Sequence, residues 1–464
     1  MLKNKILLLL IILLLPISIK ALEETTLLYE ENPTHYIGFH NVVIDEDNNI
    51  VVVGYDEDDA NSSYKSIISK YKLDGTLIWK KEILTANKIN RAYGITLAPD
   101  GYIVVGGAHI NTSDDDTDTS FDAYIYKISK DGEIVWHKEE STVGSDRYEK
   151  VITAQDGFVA AGYMTSEYFI PSGEYVDKNA YIRKVDNEGN KVWENTYGGN
   201  NLDWYYSLVR DGDNIIAVGY TASTNIEGIT NIGNKDGLVV KYNADGTIAW
   251  AKNYGGTNDD EIHNIALTSD GYILTGKTVG ENEDDYWFLK INNDGEEIWQ
   301  KTYNVNIDEP WAIIPRDNKY YIFGHSITNA ENQTYESYVL EINGTSGEIE
   351  KVNKYTKNVP VLFRSAAATA DGFVAVGFTR IVESSDIFAG PLIVRYSFAS
   401  DVPGDDSHEA VDPTVDPEPE PETKPEQPKE DNPKTGAFLT ASFVILIIVG
   451  LIVFNIRRGK IYNI

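Results

Sequence analysis

Carboxylates recur in one register along this chain. Asp146, Asp203, Asp260 and Asp308 hold the same place in GSDRYEKV, NLDWYYSL, NDDEIHNI and NIDEPWAI, and Asn90 takes that place further upstream. Glu261 and Glu309 follow two of them directly. Oxygen ligands gathered at one end of a repeated scaffold can hold a hard cation such as Ca²⁺. Short acidic side chains in loops can equally accept from the backbone N–H groups of their own turns. A second candidate is the DxDxD run of Asp114, Asp116 and Asp118, with Asp122 beyond it. It could ligate Ca²⁺ through oxygen, although it lacks the glycine and closing glutamate of an EF-hand loop. Its other reading is a solvated acidic loop.

Aromatic residues stand beside the first series. Trp204 and Trp311 each lie close to one of its aspartates, and Tyr205 and Tyr206 follow Trp204. Rings stack on sugar faces and carboxylates accept hydroxyl protons, so this grouping suits glycan recognition. Packing between structural units is the plainer alternative. Enzyme chemistry finds less support. The chain has no Cys, which excludes disulfides, thiolate metal sites and a cysteine nucleophile. Its seven histidines show no HExxH spacing, and neither GxSxG nor a P-loop is present. No catalytic constellation emerges, and the expectation is a binding module rather than an enzyme.

These residues are positioned by a repeat. DGTLIWKKEI, DGEIVWHKEE, EGNKVWENTYGG, DGTIAWAKNYGG and DGEEIWQKTYN place Trp79, Trp136, Trp193, Trp250 and Trp299 at successive gaps of 57, 57, 57 and 49 residues. A sixth copy, SGEIEKVNKY, has Lys351 where the tryptophan belongs. Gly54, Gly106, Gly162, Gly219, Gly276, Gly324 and Gly377 each close a short apolar run such as NIIAVGY, mostly preceded by an Asp-Gly or Asn-rich turn. Each unit reads as four short strands, and no helical period competes. Units of this kind repeated about every 50 residues predict a β-propeller. The seventh unit ends at PLIVRYS without an outer strand, whereas ETTLLYEE near the start has no partner of its own. Pairing the two would close a ring of seven blades and remove both raw edges. The long loops then share one rim: those after the second strands, at 56–63, 108–120, 164–178, 221–235, 326–335 and 380–387. Recognition usually sits on such loops.

The run IAWAKNYGGTNDDEIHNIALTSDGYILTG resembles the bacterial seven-bladed β-propeller repeat family, and the resemblance spans about residues 22–400. It implies an all-β propeller of four-stranded antiparallel blades in an extracytoplasmic setting, and it brings no catalytic residues.

The ends address the chain to the cell surface. Residues 1–21 carry Lys3 and Lys5 before ten unbroken apolar residues, Ile6 to Leu15, the layout of a cleaved signal peptide. Residues 401–431 form a Pro/Glu-rich stalk. Eight of the 16 prolines fall between Pro403 and Pro433, so it cannot collapse and could extend about 90 Å as polyproline II. NPKTG at 432–436 precedes an apolar stretch at 437–456, long enough for a transmembrane helix, and a basic cytoplasmic tail at 457–464. This order resembles the LPXTG cell-wall sorting signal of Gram-positive surface proteins, with Asn432 in place of the usual Leu. That resemblance implies cleavage between Thr435 and Gly436 by a membrane transpeptidase (a sortase) and linkage of Thr435 to peptidoglycan. Asp and Glu number 72 against 40 Lys and Arg, a net charge of -32, which repels nucleic acid. The expected partner is an extracellular glycan or protein met by adhesion. An extracellular polysaccharide-active enzyme and a structural surface-coat component are the alternatives.

Overall fold

Two sequence features dictate the strands. The second strand of each unit is a continuous apolar run, as in Ile50–Val53, where all four residues are 0% exposed. Such a strand must be covered on both faces. The fourth strand alternates instead, as in Lys191–Tyr197, so one of its faces meets solvent. A four-stranded sheet with those properties packs between two others.

The computed structural model describes residues 22–58, 63–83, 88–110, 121–140, 144–165, 178–279, 284–303, 307–329, 334–383 and 386–398. It is an all-β propeller of seven four-stranded antiparallel blades, as expected. The inner strands are Tyr36–Ile44, Lys88–Ala98, Arg147–Ala154, Asp203–Asp211, Asp260–Thr268, Ile307–Arg316 and Val361–Thr369. Each packs against the next and the last packs against the first, so the ring is closed. The seventh blade is completed by the N-terminal strand Leu22–Tyr29, which pairs antiparallel with Pro391–Phe398, Leu22 facing Phe398 and Tyr29 facing Leu392. The anticipated closure is therefore present. Thr26 Oγ1 lies 2.9 Å from the Tyr355 hydroxyl and ties this strand to blade six.

The core is a set of apolar layers between neighbouring blades. Leu27 and Leu28 of the N-terminal strand pack into the layer shared by blades seven and one. The repeated tryptophans fasten these layers at the outside. The indole Nε1 atoms of Trp79, Trp136 and Trp193 donate to the carbonyls of Lys130, Asn187 and Ala244 in the following blade, at 3.2, 3.2 and 3.0 Å. The glycine of that blade's outer turn lies over the ring, Gly246 on Trp193 for example, with a positive φ of 86° that favours glycine. In blade one, Gly75 lies over Leu27 instead. Lys351 follows from the same geometry. Blade seven has no covalent turn between its third and outer strands, so the tryptophan position of blade six has nothing to fasten. Trp287, outside the repeat position, is core, at 3% exposure.

Residues 1–21 and 399–464 lie outside the described residues, and with them the signal, stalk, sorting and transmembrane assignments, Thr435 and Gly436 included. Among the described residues no helix is long and apolar enough to cross a membrane.

Candidate functional site

The seven signature glycines lead to the site. Each faces a β-bulge on its inner strand. A Cβ on any of them would overlap a backbone carbonyl oxygen of that strand, Trp204 O in the case of Gly219. Glycine lets the bulged strand approach, and the bulge expels one residue from the ladder. The expelled residues are His40, Tyr93, Glu149, Tyr206, His263, Trp311 and Arg364, one per blade. All seven line a central cavity of about 360 Å³. They sit in the first half or at the middle of each inner strand. Position in the repeat is constant and chemistry differs from blade to blade, which makes a symmetric ring into an asymmetric site.

One wall is aromatic. His263 stacks on Trp311 with centroids 4.6 Å apart and an interplanar angle of 12°. Tyr206 meets Trp311 edge-on at 6.3 Å and lies 5.7 Å from Trp204. The Tyr206 hydroxyl donates to Glu261 Oε2 at 3.2 Å. Burial pushes the phenol well above its usual range, and Glu261 adds to the effect.

The rest is cationic. Arg91 pairs with Glu57 of blade one. Arg147 donates from Nε to Glu149 Oε1 at 2.7 Å and from Nη1 to the Tyr93 hydroxyl at 3.1 Å, and its guanidinium lies 4.9 Å from the Trp204 ring. Arg364 lies 4.6 Å over Trp311. Lys150 donates to Asn41 Oδ1 at 3.3 Å, and burial brings its ammonium down to about 8. Lys178, over Tyr163 at 4.3 Å, is also brought down to about 8, by burial and by Arg147. Burial drives His40 well below its usual range, and Arg364, Arg147 and Arg91 push it further, so it is neutral at pH 7. Three guanidinium fields thus converge in a chain that is strongly acidic as a whole.

Two glutamates back this wall. Burial alone would raise them. Instead His263, Lys235 and Lys277 hold Glu261 well below the carboxylate range, and His325 and Arg364 do the same for Glu309. Both are firm anions.

The residues singled out in the sequence divide. Tyr206 and Trp311 line the cavity, and Trp204 stands two residues before Tyr206 on the same strand. Tyr205 points the other way, 0% exposed in the layer between blades three and four, its hydroxyl 2.8 Å from that of Tyr242. Alternation along the strand separates it from its neighbours. Asp146, Asp203 and Asp260 accept hydrogen bonds from their own loops or from the end of the neighbouring strand. Asp146 Oδ1 accepts from Thr165 N at 2.9 Å, Asp203 Oδ2 from Gly199 N at 3.0 Å and Ser223 Oγ at 2.7 Å, and Asp260 Oδ2 from Gly256 N at 2.7 Å. They are 0%, 0% and 2% exposed, and burial raises Asp203 and Asp260. Asp308 holds the equivalent strand position opposite Ser326. Asp114, Asp116 and Asp118 lie outside the described residues. Among the described residues no group of three acidic or histidine side chains is arranged to hold a metal.

Arg91, Arg147, Lys150 and Arg364 escaped the sequence reading. The usable signal was the aspartate register itself, because Glu149, Tyr206, His263 and Trp311 each fall three residues after its members.

No family model matches the chain, and no curated protein matches it in sequence. Solved structures similar to it include the phage phi92 endosialidase, 9% identical with a TM-score of 0.44 over 87% of this chain and 72% of that one. YCF48 bound to a D1 peptide is 13% identical, with a TM-score of 0.45 over 82% of this chain and 97% of that one. A subtype N10 neuraminidase-like protein of A/little yellow-shouldered bat/Guatemala/060/2010 is 8% identical, with a TM-score of 0.37 over 68% and 97%. The likeness is one of fold.

Proposed function

We propose that this chain is an exported, wall-anchored propeller that binds an extracellular glycan or protein at the mouth of its channel and does not transform it. The bulge ring carries this reading. A scaffold role would repeat one residue, as the facing glycines do. The ring instead presents His, Tyr, Glu, Tyr, His, Trp and Arg around one cavity. In this proposal the stalk at 401–431 lifts the propeller, and sortase joins Thr435 to peptidoglycan after cutting before Gly436. In this proposal calcium is taken by Asp114, Asp116 and Asp118 rather than by Asp146, Asp203 and Asp260, whose carboxylates already accept hydrogen bonds.

The test is retention of the full chain on a panel of polysaccharides and matrix proteins, with and without Ca²⁺. Trp311→Ala and Tyr206→Ala should each weaken retention about tenfold or more, since each removes a ring from the wall. A chain that binds nothing on the panel, or variants that bind as well as the parent, would overturn the proposal.

A polysaccharide-active enzyme is the second reading, favoured by the carboxylates at the cavity. Against it, a general acid needs a raised carboxyl, and Glu261 and Glu309 are held low. Turnover that depends on Glu149 would replace the binding proposal. A surface-coat component would be inert in both assays.

A further inference from the structure

We infer that the channel cavity takes a carboxylate, seated between Arg364 and Lys150, with the body of the ligand against Trp311 and Tyr206. This rests on the binding role proposed above and names the ligand's chemistry.

The imbalance of charge comes first. Four cationic side chains line the cavity, Arg91, Arg147, Lys150 and Arg364, against one carboxylate, Glu149. Arg91 and Arg147 are each matched by a close glutamate, Glu57 and Glu149. Arg364 is not. Its Nη1 stands 3.8 Å from Glu309 Oε2, which His325 already approaches at 3.3 Å, and its Nε is buried without a hydrogen-bond partner. Lys150 is held by an amide oxygen alone. A desolvated cation whose counter-charge is distant and shared, as at Arg364, or absent, as at Lys150, is costly, and an anion that enters relieves that cost.

Geometry selects the anion. A guanidinium edge with a free Nε–H matches the two oxygens of a planar carboxylate. Lys150, brought down to about 8, adds only a weakly held second positive charge, which suits a monoanion better than a phosphate monoester carrying nearly two charges. Further donors and acceptors are ready for the rest of a small ligand. His263 is 4% exposed and its Nδ1 has no partner, and His40 Nε2 is likewise unpartnered. About 360 Å³ holds one sugar ring or one amino-acid residue. The carboxylate could therefore come from an acidic sugar or from a peptide C-terminus.

The experiment is titration of the full chain, followed by tryptophan fluorescence and calorimetry. The probes are glucuronate, its methyl ester, glucose 1-phosphate, and acetyl-dialanine with a free or amidated C-terminus. The free acid of one series should bind at least about tenfold more tightly than its uncharged form, and Lys150→Met and Arg364→Gln should each lose about tenfold or more. Melting temperature and circular dichroism establish that each variant is folded, and Arg364→Lys, which keeps charge but loses the fork, should recover only part of the affinity. Preference for glucuronate identifies an acidic sugar, and preference for the peptide acid identifies a chain terminus. Equal binding of acid and ester, tighter binding of the phosphate, or no carboxylate binding by a chain that still retains polysaccharide would overturn the carboxylate and leave the glycan reading in place. Carboxylate binding without retention of any polymer would do the reverse.

Discussion

Lys150 couples the cavity to pH. Its folded-state value of about 8 lies below the ordinary value near about 10.4. Between those limits the unfolded chain binds more protons, so stability should rise with pH across the window, and below about 8 the full penalty is present. Lys178 acts with the same sign. Lys150→Met should therefore raise the melting temperature at pH 7, and the gain should shrink by pH 10. A constant gain from pH 6 to 10 would contradict this. Ligand affinity should move oppositely. A bound carboxylate favours the protonated amine, so affinity should fall above about pH 8 in the parent and fall less steeply in Lys150→Met. Lys178 titrates in the same window, so the difference between the parent and Lys150→Met isolates the share that belongs to Lys150. The arginines remain charged, His40 is already neutral, and Tyr55 and Tyr206 are pushed well above their usual range.

At the level of the strand, the bulge and its glycine act together. Gly219→Ala would force a Cβ onto Trp204 O, and relief would have to come from flattening the bulge that presents Tyr206. A loss of about 2–4 kcal/mol is expected in urea unfolding, together with weakened ligand retention. Full stability with normal retention would show that the glycine is dispensable. The outer fastenings predict a contrast. Trp193→Ala should cost about 3 kcal/mol, because the ring covers Gly246 and its indole donates to Ala244 O. Lys351→Trp should bring no gain in stability, because no turn follows it and the change removes the ammonium that stands 3.6 Å from the buried Glu341 carboxylate. The tryptophan and Asp-Gly periods made strands and turns legible in the sequence, since each local signal agrees with the fold. The site was only half legible. Trp204, Tyr206 and Trp311 stood out by type. The arginines and Lys150 did not, because one residue inserted at a bulge shifts which side chains face the channel, and an acidic total hides a local excess of the opposite sign.

Across the whole molecule, stability depends on closure. The N-terminal strand was legible as the missing partner of PLIVRYS because strand counting alone demanded it. Deleting residues 22–29 would expose the Pro391–Phe398 ladder and unpack Leu27 and Leu28. A loss of about 3 kcal/mol or more is expected, with association through the bared edge visible in size-exclusion chromatography. A monomer of unchanged melting temperature would refute that dependence. The same arrangement determines how the ring answers tension. In blades one to six the last strand is an outer strand with one neighbour, whereas Pro391–Phe398 lies inside its sheet, bonded on one side to Gly372–Thr379 and on the other to Leu22–Tyr29. A pull at Phe398 must rupture two rows of hydrogen bonds rather than peel one. The place where the polypeptide leaves the ring is thus a mechanical clamp, and trimming the first strand should lower the rupture force measured in an optical trap.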